Sequence, residues 1–481
     1  MVLEFVVAVF ALTQLAYFVG NCALVTLLVH RSDTVVDDAT VDRVIAEAAE
    51  SDRERPLARA DGGSDARVDP SLTGAEKPMR GSRSGATSDC RLPSSAVRRI
   101  CVLMPIYRER PAVIEETLEN LASQRYPTAD VSVYVIYEPD DPTVPAVREA
   151  IAAREDGLSV EFVAVDREAL AADRAPGDWT FSGTGVPRTK AAALTYAFTT
   201  LSFAADDVVT VFDSDTQVPR DTFELAVAGL AEYDIVQAKQ TARNVADGWL
   251  PLLESMGIAA WSDTVYANST DGPYQLLGKA YFVPAGVLYD LDRWQLDAVT
   301  EDMALGIAAH ERGCTLGIID RYVQDFCPAD FEAWIRQKRR WVRGPYRHLL
   351  TPGWSGLERG RFWAGTVLTQ LLSVTNVFGL PVGLVVLGLT VIGSAGTVVP
   401  SALFPLVLFN GVVWLYYSWR SYRAAWDAVP FESRWDRLRY SLVSNPITQA
   451  LYATLWTVPI CLALADALRG VAPTFDVTPK R

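Results

Sequence analysis

The chain is poor in the residues that build thiolate and imidazole metal centres. It has three histidines and six cysteines. No Cys-x-x-Cys pair occurs among Cys22, Cys90, Cys101, Cys314, Cys327 and Cys461, so a zinc site is not expected and free thiols in a reducing compartment are. A basic surplus is missing as well. Asp and Glu total 58 against 44 Lys and Arg, a net charge of −14 that argues against a nucleic-acid partner, because phosphate contacts need positive surface. Lysine is scarce beside arginine, so the acidity reads as a salt-adapted surface rather than a binding feature. Residues 33–95 lack aromatics and are rich in Asp, Arg, Ser, Gly and Ala, the composition of a disordered tether. Internal repeats are not evident.

What the chain does have is apolar residues, 50% of its 481, unevenly placed. Residues 5–29 form a nearly uncharged run, long enough to cross a hydrocarbon core of roughly 30 Å. The run has neither the charged start nor the small-residue cleavage site of a secretory signal, so an uncleaved anchor is expected. Two further runs, 378–395 and 399–419, also read as spans. Residues 445–468 are apolar but carry Gln449 and Asp466, which suits an interfacial or re-entrant segment, and 352–377, with Arg359 and Arg361, reads as another interfacial stretch. Arg31 after the first run, and Arg420, Arg423, Arg434, Arg437 and Arg439 after the third, mark cytoplasmic ends. A multi-pass protein of the cell membrane follows, with the polar block 32–345 in the cytoplasm.

Within that block the pattern alternates. Apolar runs at 99–105, 131–137, 159–165 and 208–212 read as buried strands, and 113–124 and 190–203 have helical periodicity. Such alternation predicts a mostly parallel α/β sheet sandwiched by helices, with ligands beyond the C-terminal strand ends. That rule singles out Glu138 and Asp140 after the second strand, and Asp213 and Asp215 after the fourth.

Four short motifs then follow in order. Asp213-Ser214-Asp215 places two hard oxygen ligands on one sheet edge, suited to Mg²⁺ or Mn²⁺ bridging a diphosphate. Chance is the competing explanation, and Asp290-Leu291-Asp292, which has no clean strand before it, is the internal control. A phosphotransferase built on the first Asp would want Thr or Val where Gln217 stands. Thr300-Glu301-Asp302 opens a helical stretch; it is either an N-cap with acidic residues in the first turn, or Asp302 is a general base. In the second case the helix N-terminus would favour the ionised carboxylate. Gln337, Arg340 and Trp341 share a helical face amid Arg336, Lys338, Arg339 and Arg343, which fits either a basic interfacial helix or a site for diphosphate and sugar. The last motif is Phe475-Asp476-Val477-Thr478-Pro479-Lys480.

Together with Pro105-Ile106-Tyr107-Arg108-Glu109 and Lys190-Ala191-Ala192-Ala193-Leu194, this ordered set resembles glycosyltransferase family 2, in particular its membrane-embedded branch of cellulose and hyaluronan synthases. The resemblance runs from about residue 99 to the end of the chain. It implies a GT-A fold with added transmembrane and interfacial helices, and an inverting single displacement from a UDP-sugar assisted by a divalent metal. It places Tyr107, Glu109 and Glu138 at the uridine, Lys190 and Glu301 near the donor, and metal and diphosphate on Asp213 and Asp215. Asp302 would be the catalytic base, and Gln337, Arg340 and Trp341 would bind acceptor and pyrophosphate. Phe475, Val477, Thr478 and Lys480 match a loop that closes over bound UDP in the cellulose synthases. Tyr137-Glu138-Pro139-Asp140 stands where paired aspartates are usual, and the chain stops one residue after the last motif.

The expected layout is an N-terminal transmembrane anchor (1–30), a disordered linker (31–97), a cytoplasmic GT-A domain (98–350), and C-terminal interfacial and transmembrane helices (351–481). The expected partners are a nucleotide sugar, a glycan or lipid-linked acceptor, and membrane lipid; homo-oligomers or accessory subunits stay open. Polymer extension is the first reading, single addition to a lipid-linked acceptor the second, and a non-catalytic glycan-binding subunit the third.

Overall fold

The computed structural model describes residues 2–29, 33–54, 89–173, 186, 188–296, 298, 300–346, 348, 354–363, 365–366, 369–392, 400–431 and 433–471. Its centre is one eight-stranded sheet: β1 Val35–Val36, β2 Ile100–Ile106, β3 Val131–Tyr137, β4 Ser159–Ala164, β5 Val208–Val211, β6 Ile235–Ala242, β7 Tyr281–Pro284 and β8 Leu316–Asp325. They lie in the order β1-β8-β6-β7-β5-β2-β3-β4. All pairings are parallel except those of β7, which runs against both β5 and β6. The inner strands are buried over nearly their whole length, as parallel strands covered on both faces must be. One core under the sheet is built on Val102, Ile114, Phe212 and Phe223 and the other on Leu103, Leu194, Phe198 and Trp294. The helices at Pro111–Ala122 and Lys190–Leu201 lie where the periodicity predicts.

The first correction concerns the linker. Val35–Val36 adds an edge strand beside β8, and Asp38–Glu54 is a helix packed against Thr222–Gly229. Val36 and Val41 are fully buried. Asp38 pairs with Arg91 at 2.7 Å and Arg321 at 2.8 Å, and Arg43 with Glu232 at 2.7 Å. Average composition hid a short amphipathic pattern (Val41, Val44, Ile45) whose partners lie some two hundred residues or more away. Residues 55–88 lie outside the described residues.

Among the described residues, four helical stretches are long and apolar enough to cross a membrane: Glu4–Thr26, Gln370–Leu389, Ser401–Ala428 and Pro446–Arg469. The second begins eight residues before the apolar run suggested, and the third ends nine residues after it. Polar groups lie in both extensions, since Asn376 on the second stretch and Ser421 on the third are buried inside the helical bundle. The fourth is broken at Trp456 into Pro446–Leu455 and Thr457–Arg469. It runs along the helix Phe331–Tyr346, with Trp456 against Trp334, Ile460 and Ala463 against Val342, and Asp466 bound to Arg339.

The candidate active site

Five elements converge at the C-terminal ends of the parallel strands. β5 delivers Asp213 and Asp215, β8 delivers Asp325, the Lys190–Leu201 helix begins with Lys190, Gly278 and Lys279 precede β7, and the Glu301–Glu311 helix begins with Glu301 and Asp302. Lys190 Nζ donates to Asp213 Oδ1 and to the Gly278 carbonyl, both at 2.8 Å, and lies 3.9 Å from Glu301. Thr216 Oγ1 donates to Asp325 Oδ1 at 2.8 Å and the Phe326 amide to Asp215 Oδ2 at 3.0 Å. Asp213 faces the cavity described below, whereas Asp215 and Asp325 lie beneath it, 2% and 7% exposed.

The carboxylates of Asp213, Asp215 and Asp325 each offer an oxygen, all within 4.8 Å of one another. Three hard oxygen donors fit Mg²⁺ or Mn²⁺, whose bonds to oxygen are about 2.1 Å. Asp325 escaped the sequence reading, although it too follows a strand with an apolar core, Leu316 to Ile319. Burial, together with the negative charges of Asp215 and Asp213, pushes its carboxyl up to about 6 against the pull of Lys279.

Asp302 lies in the first turn of its helix, where its own carboxylate accepts from the Met303 amide at 2.8 Å. Thr300 occupies the N-cap position without a side-chain capping bond. The helix end favours the ionised form of Asp302 through the Met303 amide, as expected, but the surroundings oppose it more strongly. Burial and the adjacent Glu301 raise its carboxyl to about 7, outweighing the Met303 amide, Lys190 and Arg340. Two glycines make its seat: a Cβ at Gly278 would come 3.0 Å from Asp302 Oδ2, and one at Gly344 would collide with Thr300.

Gln337, Arg340 and Trp341 lie on the Phe331–Tyr346 helix and line the same cavity as Asp213, Glu301 and Asp302. Lys338, one of the basic residues of that segment, is fully buried. It is paired with Glu254 and its ammonium stands 3.5 Å from the centre of the Trp341 ring. Glu254 also accepts from Trp334 Nε1 at 2.7 Å and the Tyr452 hydroxyl at 2.5 Å, tying three helices under the Gln-x-x-Arg-Trp segment. At the other rim, Tyr107, Glu109 and Glu138 also line the cavity. Glu138 is held by Arg167 (3.1 Å) and Asp140 by Arg188 (2.8 Å). Arg108 takes a left-handed backbone conformation (φ 55°), and its amide donates to Asp141 at 2.7 Å. Asp141 thereby fixes the loop after β2. Phe475, Val477, Thr478 and Lys480 lie outside the described residues.

The cavity has a volume of about 1020 Å³ and does not stop at the sheet edge. It continues between the apolar helices, past Leu24, Leu372, Leu380 and Trp414, to a set of amides and a hydroxyl missed in the sequence. Tyr17 donates to Asn376 at 2.8 Å, Asn21 to Asn410 at 3.0 Å, and Asn410 to the backbone and side chain of Gln14 at 2.9 and 3.0 Å. Polar side chains inside apolar helices were the available signal.

A mostly parallel α/β sheet whose carboxylate rim opens onto membrane-type helices defines a class of membrane-associated α/β proteins. The chain belongs to glycosyl transferase family group 2, whose sequence model matches residues 208–465. It is 24% identical over 258 residues to a beta-monoglucosyldiacylglycerol synthase of Synechocystis, a stretch that is 52% of this chain and 49% of that protein. The matched stretch thus spans about half the length of that relative. Among solved structures, it is similar to a Pyrobaculum calidifontis mannosyltransferase in complex with GDP-Man and Mn²⁺, at 15% identity over 88% of this chain and 98% of that one, with a TM-score of 0.43. It is also similar to S. aureus TarS in complex with UDP-GlcNAc, at 14% identity over 77% and 92%, with a TM-score of 0.33. Both are distant likenesses.

Proposed function

We propose that the protein is a membrane glycosyltransferase that moves one sugar from a nucleotide-diphosphate donor, of the UDP-sugar type, to a hydroxyl of a membrane-embedded lipid or lipid-linked acceptor. The observation that carries this reading is the single cavity that joins Asp213 and Asp302 to the space between apolar helices. An amphiphile can keep its chains among Leu372, Leu380 and Trp414 while its head reaches Asp302. The relative's printed name, a synthase of a glucosylated diacylglycerol, agrees with that acceptor class.

In this reaction the acceptor oxygen attacks the anomeric carbon as the bond from that carbon to the diphosphate oxygen breaks, and the configuration inverts. Asp302 takes the hydroxyl proton, so it must be ionised when the acceptor binds. Arg340 and Lys190 stand on the cavity wall to receive the negative charge that collects on the diphosphate. Tyr107, Glu109 and Glu138 form the nucleoside end and Trp341 the sugar-facing wall. Asp213, Asp215 and Asp325 would hold a divalent ion, which when bound offsets the charge of the leaving group. The cytoplasm, where nucleotide sugars are made, is then the side of the sheet domain.

Polymer extension is the second reading, favoured by the motif order and by Trp341 at the acceptor end. The test is donor hydrolysis and transfer by the purified full chain in detergent, offered a panel of nucleotide sugars, Mn²⁺ and a membrane-lipid extract. A product with one added sugar in the lipid phase, absent with Asp302→Asn, meets the expectation. A water-soluble polymer would replace it with the second reading. Donor binding without any transfer in the presence of lipid would refute both.

A further inference from the structure

Lys279 has no counterpart in the motif set, yet its charge sits at the centre of the acidic rim. Its ammonium is 2.7 Å from Asp325 Oδ2 and 4.0 Å from Asp213 Oδ2. Three of the other oxygens of this cluster bond elsewhere: Asp325 Oδ1 to Thr216, Asp215 Oδ2 to the Phe326 amide and Asp213 Oδ1 to Lys190. The two oxygens turned toward Lys279 therefore belong to the carboxylates that suit a divalent ion. Lys279 also lines the cavity, as Asp213 does, while Asp215 and Asp325 are buried.

An ammonium and a divalent ion repel each other strongly when only a few ångströms apart out of bulk water. They cannot share these oxygens. We propose that Lys279 is the resident cation of the Asp213–Asp215–Asp325 cluster and that a divalent ion loads only as Lys279 leaves it for the cavity. Lys279 pairs with the buried Asp325 carboxylate while the site waits, as Lys190 does with Asp213, which reduces the uncompensated negative charge of the cluster. Moved into the cavity, the same ammonium meets the region that a donor diphosphate enters. Loading of the ion alone is then weak, because Lys279 must give up its carboxylate partner before any diphosphate replaces it. This deepens the metal-assisted reading above and rests on it only for the identity of the ion.

The test is Mn²⁺ binding by the full chain in detergent without donor, followed by loss of the free-ion electron paramagnetic resonance signal. Lys279→Met keeps the length and removes the charge; it should bind Mn²⁺ at least about tenfold tighter than the unaltered chain. Lys279→Arg keeps a cation and should stay weak. Adding Asp325→Asn to Lys279→Met should abolish the gain. Equal or weaker binding by Lys279→Met, or a gain that survives Asp325→Asn, overturns the proposal. A measurement on the unaltered chain covers the case in which Lys279→Met does not fold. Mn²⁺ should raise acylation of Lys279 by a small amine-reactive reagent, quantified by peptide mass spectrometry, and unchanged or reduced labelling refutes it. None of these readouts needs turnover. Failure here with Mn²⁺-dependent transfer intact therefore removes the role of Lys279 and leaves the proposed function standing, and the converse result does the reverse.

Discussion

If Asp302 is the base of the proposed reaction, activity and stability depend on the same proton. Burial beside Glu301 raises its carboxyl from 3.8 to about 7. A base must be ionised, so kcat/KM should rise with pH to a limb near 7 and fall about tenfold for each pH unit below it. The stability consequence has the opposite sign. Between pH 4 and 7 the folded chain holds a proton on Asp302 that the unfolded chain has released, so stability falls as pH rises across that window. The upper bound of this penalty at pH 8 is about 4 kcal/mol, reduced where cavity water screens the charge. Asp302→Asn should therefore abolish transfer while raising the melting temperature at pH 8, and the gain should shrink to nothing near pH 4. The assays are initial rates across pH 5–9 and thermal melts of both proteins over the same range. An acid limb near pH 4, or an Asp302→Asn protein that melts lower than the unaltered chain at pH 8, would refute the reasoning.

Three further outcomes are expected. Lys338→Met leaves Glu254 charged and buried with only Trp334 and Tyr452 to serve it, a loss of about 3–5 kcal/mol. The double change Lys338→Met with Glu254→Gln should recover most of the melting temperature, and additive losses would contradict the pairing. Gly344→Ala drives a methyl group into Thr300 and should cut kcat by about tenfold or more through displacement of Asp302, with donor affinity measured by UDP competition unchanged. Full activity would mean that the Thr300 seat does not position the base. Asn410→Leu removes bonds to Asn21 and Gln14, and intramembrane bonds of this kind contribute about 0.6–1.7 kcal/mol each. A melt a few degrees lower and a raised KM for lipid acceptor but not donor are expected; a KM change for donor alone would place this polar set outside the acceptor path.

The sequence carried those parts of the site whose signal is local. Asp213 and Asp215 could be found because a run of buried β-branched residues ends directly before them. Asp302 could be found because it opens a periodic helix, Gln337, Arg340 and Trp341 because helical spacing aligns them, and Lys190 only through the family resemblance. The short edge strand Val35–Val36 was invisible, since two valines in a polar stretch become a strand only when β8 lies alongside. β6, β7 and β8 escaped for a related reason, because their pairing crosses from parallel to antiparallel through distant loops. The burial of Lys338 was not legible, since basic composition does not separate an exposed lysine from one that Glu254 on another helix pairs with.

By itself, then, the chain determined its clearest periodicities: the strands β2 to β5, the helices apolar enough for a membrane, and the carboxylates Asp213 and Asp215 that follow β5. Those follow from steric and hydrophobic preferences that act between near neighbours. Tertiary structure alone decided that Asp325 joins Asp213 and Asp215, that Lys279 lies against Asp325, and that burial beside Glu301 raises the Asp302 carboxyl. It also decided that Gln14, Tyr17 and Asn21 face the cavity that Asp302 faces. Charges and polar groups respond to distance and burial, and the residues that set both are brought together only when the sheet closes and the apolar helices pack against it.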